Sequence, residues 1–97
     1  MKTRQDLYMV VQTKNFEKDM RRMERRGYDL RKLNRVIKLL CKGELPLNYR
    51  NHRLRGDLAE YEECHIEPDW LLTYWRRKDV LVLVMLQTGT HADIFGK

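Results

Sequence analysis

WLLTYWRRKDVLVLVML, Trp70 to Leu86, is the stretch whose reading decides the fold. Two apolar runs rich in Leu, Val, Tyr and Trp flank the polar RRKD, and neither shows the three-to-four-residue apolar spacing of a helix. The reading is two strands, Trp70–Arg76 and Val80–Leu86, joined by a tight hairpin at Lys78-Asp79. VLVLVML has no polar alternation, which predicts a strand covered on both faces and central in its sheet.

Working outward, Leu58–Ile66 reads as another strand and DLYMVV, near the start, as a fourth, since Tyr8, Val10 and Val11 favour the pleated state. Between them the period changes. Phe16, Met20 and Met23 recur at helical spacing over Asn15–Arg26, with Thr13 placed to cap the start and Gly27 to end the helix in a left-handed residue. Asp29 caps a second helix whose inner stripe is Leu30, Leu33, Val36, Ile37, Leu40 and Cys41, ending at Gly43. The polar GELPLNYRNHRLRGDL, punctuated by Pro46 and Gly56, reads as a long loop of the kind that carries function. In TGTHADIF, Thr90 and Asp93 have the spacing of a capping box for one helical turn. The expected fold is α+β: an N-terminal strand and a two-helix hairpin packed on a twisted, mainly antiparallel four-stranded sheet, in one domain over residues 1–97.

The 97 residues include 20 Lys and Arg against 14 Asp and Glu, a formal charge of +6. The excess is uneven: Lys14–Arg55 holds 14 basic and 5 acidic residues, Gly56–Lys97 holds 4 and 8. The helical outer faces take most of the positive charge, through Arg21, Arg22, Arg25, Arg26, Arg31, Lys32, Arg35 and Lys38. A solvated helix surface would look the same, but a polyanionic partner such as nucleic acid or an acidic protein also fits. Two cysteines, Cys41 and Cys64, form neither a disulfide framework nor a paired-cysteine zinc motif, as expected in a reducing cytoplasm. The apolar part of MKTRQDLYMVVQTK is too short for a signal peptide, and VLVLVML is far below membrane-spanning length, so a soluble protein with no membrane partner is expected.

The three histidines, His52, His65 and His91, fall where predicted strands meet loops. They could be unrelated polar residues at element ends. In an antiparallel sheet such ends can also converge on one cleft, and imidazoles beside Asp69 would then suit general acid–base chemistry. RNA cleavage needs that chemistry: a 2′-hydroxyl loses a proton, the 5′-oxygen gains one, and cations meet the charge growing on the phosphate. A zinc site from His52, His65, Asp69 and His91 is the rival reading, although the short paired ligand spacing is missing. The chain contains no serine, and Cys64 should point away from His65, so no covalent nucleophile is indicated. Arg53 and Arg55 in NHRLRG could grip phosphate oxygens, and Trp70 and Phe95 could stack on bases or belong to the core.

Three blocks in order, HRLRG, CHIEPDW and TGTHADIF, together with the span from LPLNYRNHRLRG to HADIF, closely resemble the YafQ branch of the RelE-like toxins of bacterial toxin–antitoxin systems. The resemblance implies a ribosome-dependent endoribonuclease that cuts mRNA in the ribosomal A site. It implies a metal-independent acid–base mechanism without cofactor that leaves a 2′,3′-cyclic phosphate. It also implies a cognate antitoxin, acidic and DNA-binding, with operator DNA bound only by the complex. Carried over by motif, His52, His65, Asp69 and His91 match functional positions, with His91 as proton donor, His65 and His52 as base or charge stabilisers, and Asp69 orienting an imidazole. Trp70 and Phe95 match supporting positions. Gln87 replaces the arginine usual before TGTH; an amide can donate to phosphate but cannot offset its charge, and Arg53 and Arg55 are candidates to substitute. Glu62, after Tyr61, stands where relatives commonly carry a basic residue. Two other roles fit the same scaffold: a catalytically weak module engaging antitoxin and operator, and a toxin directed at DNA gyrase, which has no need of the histidines.

Overall fold

Thr13 turns the chain from strand to helix. Its hydroxyl accepts the backbone N–H of Phe16 at 3.0 Å and donates to the Met85 carbonyl at 2.9 Å, so one side chain caps a helix and fastens it to the sheet. In the computed structural model, which describes residues 7–43 and 45–96, the elements are β1 (Met9–Gln12), α1 (Lys14–Arg25), α2 (Leu30–Cys41), β2 (His52–Arg53), β3 (Tyr61–Glu67), β4 (Trp70–Arg77), β5 (Val82–Gly89) and α3 (His91–Phe95). The Asp29 carboxylate caps α2 by accepting from Arg31 N–H at 3.0 Å. Gly27 and Gly43 follow the two helices at φ 91° and 90°, the left-handed conformation that favours glycine there.

The sheet order is β1-β5-β4-β3-β2, with β1 parallel to β5 and the other pairs antiparallel. It therefore has five strands rather than the four expected. The addition is β2, two residues of the long loop that pair His52 with Glu63 and Arg53 with Glu62. Two residues are too few to show an alternating pattern, which is why the loop reading missed them. The same loop also contains 3₁₀ turns at Leu47–Tyr49 and Gly56–Leu58.

α1 lies over β5 and α2 over β3. Phe16, Met23, Leu33 and Leu40 meet Trp70, Leu72, Tyr74, Leu83 and Met85 in one buried cluster. Each side chain taken fully out of water there contributes about 1.5–3 kcal/mol. The opposite face of the sheet is left to α3 and the 54–58 loop.

The decisive hairpin differs from expectation in two ways. Its turn is four residues, Lys78–Leu81, with Leu81 at φ 56°, so β5 starts at Val82, where pairing with Met9 begins. Val80 and Leu81 are exposed. β5 is an inner strand between β1 and β4, but within its apolar run Val82–Leu86 only Leu83 and Met85, on the helix-facing side, are fully buried; Val82, Val84 and Leu86 are half-buried. The strand buried without alternation is β4, over Trp70–Tyr74.

Two irregularities in the ladders shape the open face. Ile66 is passed over between the pairs His65–Leu71 and Glu67–Trp70, and Leu86 between Thr73–Gln87 and Tyr74–Met85. A single extra residue flips strand parity. After Leu86, Thr88 therefore turns into the core, where its hydroxyl accepts the Trp70 indole N–H at 2.9 Å and donates to the Leu71 carbonyl at 2.7 Å.

Candidate active site

Strand pairing brings together residues distant in the chain. His52 on β2 pairs with Glu63 on β3, and two residues on, His65 shares Glu63's face. Asp69 sits in the two-residue turn between β3 and β4, and His91 opens α3 just past β5. The rings form a row: His52 to His65 is 6.3 Å between centroids, His65 to His91 5.8 Å, and His91 to Phe95 6.2 Å. The histidine side chains of His52 and His91 are both about half exposed, at 49%.

Each ring is held through the same nitrogen. His52 Nδ1 meets the Arg50 carbonyl at 3.0 Å, His65 Nδ1 the Pro68 carbonyl at 3.4 Å, and His91 Nδ1 the Asp69 carboxylate. A carbonyl only accepts, so Nδ1 carries the proton in the first two; the carboxylate imposes the same tautomer on His91. Nε2 of His65 and of His91 is left without a partner among the described residues, whereas His52 Nε2 faces Glu63 Oε1 at 3.4 Å.

Asp69 also accepts the His91 backbone N–H at 2.8 Å, so one carboxylate sets both the start of α3 and the ring upon it. These two bonds, the backbone one first, hold its carboxyl below the ordinary carboxylate range. The capping box is present: Thr90 accepts Asp93 N–H at 3.1 Å and Asp93 accepts Thr90 N–H at 2.9 Å. Arg26 at the end of α1 then clamps Asp93 with contacts of 2.7 and 3.2 Å. Hydrogen bonding to Arg26 is the main reason the Asp93 carboxyl lies far below its usual range.

The other candidates divide. Phe95 is half exposed beside His91 and can stack on a base. Trp70 cannot: it is wholly buried, its ring edge-on to Tyr28 at 5.0 Å, so its part is core support. Arg53 points the other way from His52 and lines a hollow of about 730 Å³ with Tyr8, Glu60, Glu62 and Arg76, away from the imidazoles. It does not replace the missing arginine. Arg55 is exposed before the second 3₁₀ turn. Gln87 is half-buried on the open face near Phe95.

Glu62 accepts from Arg76 Nε at 3.0 Å, Asn51 Nδ2 at 2.8 Å and the Tyr74 hydroxyl at 3.2 Å. Burial pushes its carboxyl up, but these bonds outweigh burial and the carboxyl lies below its ordinary value. The acidic departure from relatives is thus matched by Arg76 and stays out of the histidine row. Cys64 is buried on the helix side, its thiol pushed up to about 12 by burial, which makes it unfit as a nucleophile.

Glu63 and Thr73 are the residues of this face that motif reasoning missed. Both are almost wholly buried, they pair across β3 and β4, and Glu63 Oε2 and Thr73 Oγ1 have no hydrogen-bond partner among the described residues. The period-two link between Glu63 and His65 was the available signal. His52, Glu63 and His65 each offer one ligand atom within 4.8 Å of the others, and they are the residues that could hold a cation.

The family described as "Bacterial toxin of type II toxin-antitoxin system, YafQ" matches residues 8–96. The chain belongs to the YafQ toxin family. It is 40% identical over 83 residues to the mRNA interferase toxin YafQ of Escherichia coli K12, covering 84% of this chain and 88% of that protein. Among solved structures, YafQ in the Escherichia coli DinJ-YafQ toxin-antitoxin complex superposes with a TM-score of 0.85 at 33% identity, over 93% of this chain and 99% of that one. A metal-bound toxin from Helicobacter pylori superposes with a TM-score of 0.84 at 32% identity, over 91% and 99%. The YafQ assignment thus spans the strands and helices that carry the histidine row.

Proposed function

We propose that this YafQ-family protein is the toxin of a type II toxin–antitoxin system and an endoribonuclease that cuts mRNA on the ribosome. The observation that carries the mechanism is the row of three imidazoles, each pinned through Nδ1, beside a carboxylate on the open face of the sheet.

In the proposed reaction His65 Nε2 takes the proton of a ribose 2′-hydroxyl. The 2′-oxygen attacks phosphorus, the bond from phosphorus to the 5′-oxygen breaks, and His91 Nε2 gives its proton to that oxygen. The products are a 2′,3′-cyclic phosphate and a 5′-hydroxyl. His65 and His91 are adjacent rings at 5.8 Å, as an acid and a base flanking one phosphate require. His52, on the other side of His65, adds positive charge beside the phosphate in its imidazolium form, in which Nε2 also carries a proton. Asp69 orients His91 and stabilises its imidazolium form, and Phe95 stacks on a neighbouring base.

The net charge and the basic outer face of α2, with Arg31, Arg35, Lys38 and Lys42 around one hollow, fit ribosomal RNA and an acidic cognate antitoxin. The test is His91→Ala. Removal of a general acid lowers cleavage by about 10²–10⁴-fold, so cells expressing the variant should grow and translated mRNA should stay intact, with antitoxin binding retained. Equal toxicity and cleavage by variant and parent would refute the role of His91.

A further inference from the structure

We propose that the apolar hollow beside the histidine row is a base-recognition pocket for adenine or cytosine, the bases whose Watson–Crick edge sets an exocyclic amino group at C6 or C4 next to a ring acceptor nitrogen. The inference rests on the ribonuclease reading and adds what that reading lacks, a part that reads sequence. The hollow has a volume of about 270 Å³, small enough for one planar base. Leu54, Leu86 and Ile94 wall it and the half-exposed ring of Phe95 forms its rim, 6.2 Å from His91. A base stacked on Phe95 would therefore adjoin the phosphate that His65 and His91 flank.

The floor of this greasy hollow is polar. Glu63 and Thr73 are each 4% exposed and both line it. Glu63 Oε2 and Thr73 Oγ1, from residues paired across β3 and β4, are the two buried oxygens on this face left without a partner among the described residues. Unmet buried polar atoms are uncommon and costly, and a ligand that meets both is favoured accordingly. The carboxylate oxygen can only accept, while the hydroxyl can donate. An amino group beside a ring nitrogen is the complement: the amino N–H goes to Glu63 and the ring nitrogen receives the Thr73 proton. Uracil and guanine carry a carbonyl oxygen at that ring position, which would set two acceptors together. The passed-over residue Leu86 is what makes room, because it lets Leu86 and Gln87 both border the hollow. The Gln87 amide can then bond the outer edge of the base.

Two measurements test this. The first follows the methyl resonances of Thr73, Ile94 and Leu86 while the intact protein is titrated with AMP, CMP, GMP or UMP. AMP and CMP should shift these methyls and UMP and GMP should not, and Glu63→Gln and Thr73→Val, both nearly isosteric, should lose the distinction while keeping the parent spectrum elsewhere. The second maps cleavage in translated mRNAs in which each base flanking the cut is varied. The parent should favour A or C at one flank over U by on the order of tenfold or more, and both variants should reduce that ratio several-fold. Equal methyl responses to all four nucleotides, or none, would overturn the pocket and leave it a water-filled hollow, even if cleavage proceeds. Selective methyl shifts without any cleavage would uphold the pocket and count against the ribonuclease reading instead.

Discussion

Replacing Gly89 by alanine should damage the reactive end of the molecule without touching a histidine. Gly89 is the last residue of β5, and a Cβ there would lie 2.8 Å from Asp93 Cβ and 3.0 Å from its Oδ2. The first distance falls about 0.6 Å short of ordinary contact at 3.4 Å. Asp93 cannot swing aside cheaply, because Arg26 holds its carboxylate at 2.7 Å and Thr90 N–H holds it at 2.9 Å. The strain must move α3, whose first residue is His91. Overpacking of this kind costs about 1–3 kcal/mol. A misplacement near 1 Å at a catalytic group lowers turnover by roughly 10²-fold, so the smaller shift here should lower it roughly tenfold. Quantified cleavage of a translated reporter mRNA, fitted for kcat and KM, reads this out, and thermal unfolding reads the strain. The loss should fall mainly on kcat. Gly89→Ala with parental kcat and parental melting temperature would show that Asp93 does not fix α3, and the reasoning would fail.

Two further outcomes are expected. Arg26→Gln should lower the melting temperature by a pH-dependent margin. The Asp93 carboxyl is depressed in the fold, so its stabilising contribution is complete above the unfolded carboxylate value of about 3.9 and is lost as pH falls through the folded value. The gap between parent and variant should be widest above about pH 4 and close towards strong acid, and a gap constant from neutral to acid pH would contradict this. Excess zinc should slow cleavage by occupying His52, Glu63 and His65 and removing the lone pair that the base needs, while a zinc-selective chelator that leaves the magnesium of the ribosome in place should leave cleavage unchanged; abolition of cleavage by that chelator would refute the metal-free mechanism.

Much of this architecture was readable residue by residue. The caps at Thr13, Asp29 and Thr90 act through their own side chains within a few residues, and local chemistry of that kind survives in a single sequence. The gathering of His52, His65 and His91 was inferred from strand ends and from motif blocks, and the rings are neighbours. What escaped depends on pairing with distant strands. The positive φ of Leu81 goes with the parallel register that starts at Met9 and Val82, the extra residues Ile66 and Leu86 change which face later residues occupy, and β2 exists only because β3 lies beside it. Trp70 fits either a stacking or a core role in the sequence, because an aromatic beside a motif does not disclose which way it points, and the fold buries it wholly.

Asn51 stands one residue before His52, and its side chain is gripped by Glu62 and by the Tyr74 hydroxyl within the network on the helix side of the sheet. The seat of one imidazole is therefore governed from behind the surface where RNA is proposed to lie. A binder that drew Asn51 out of that grip would disarm the molecule from the rear, so silencing does not require a plug in the cleft.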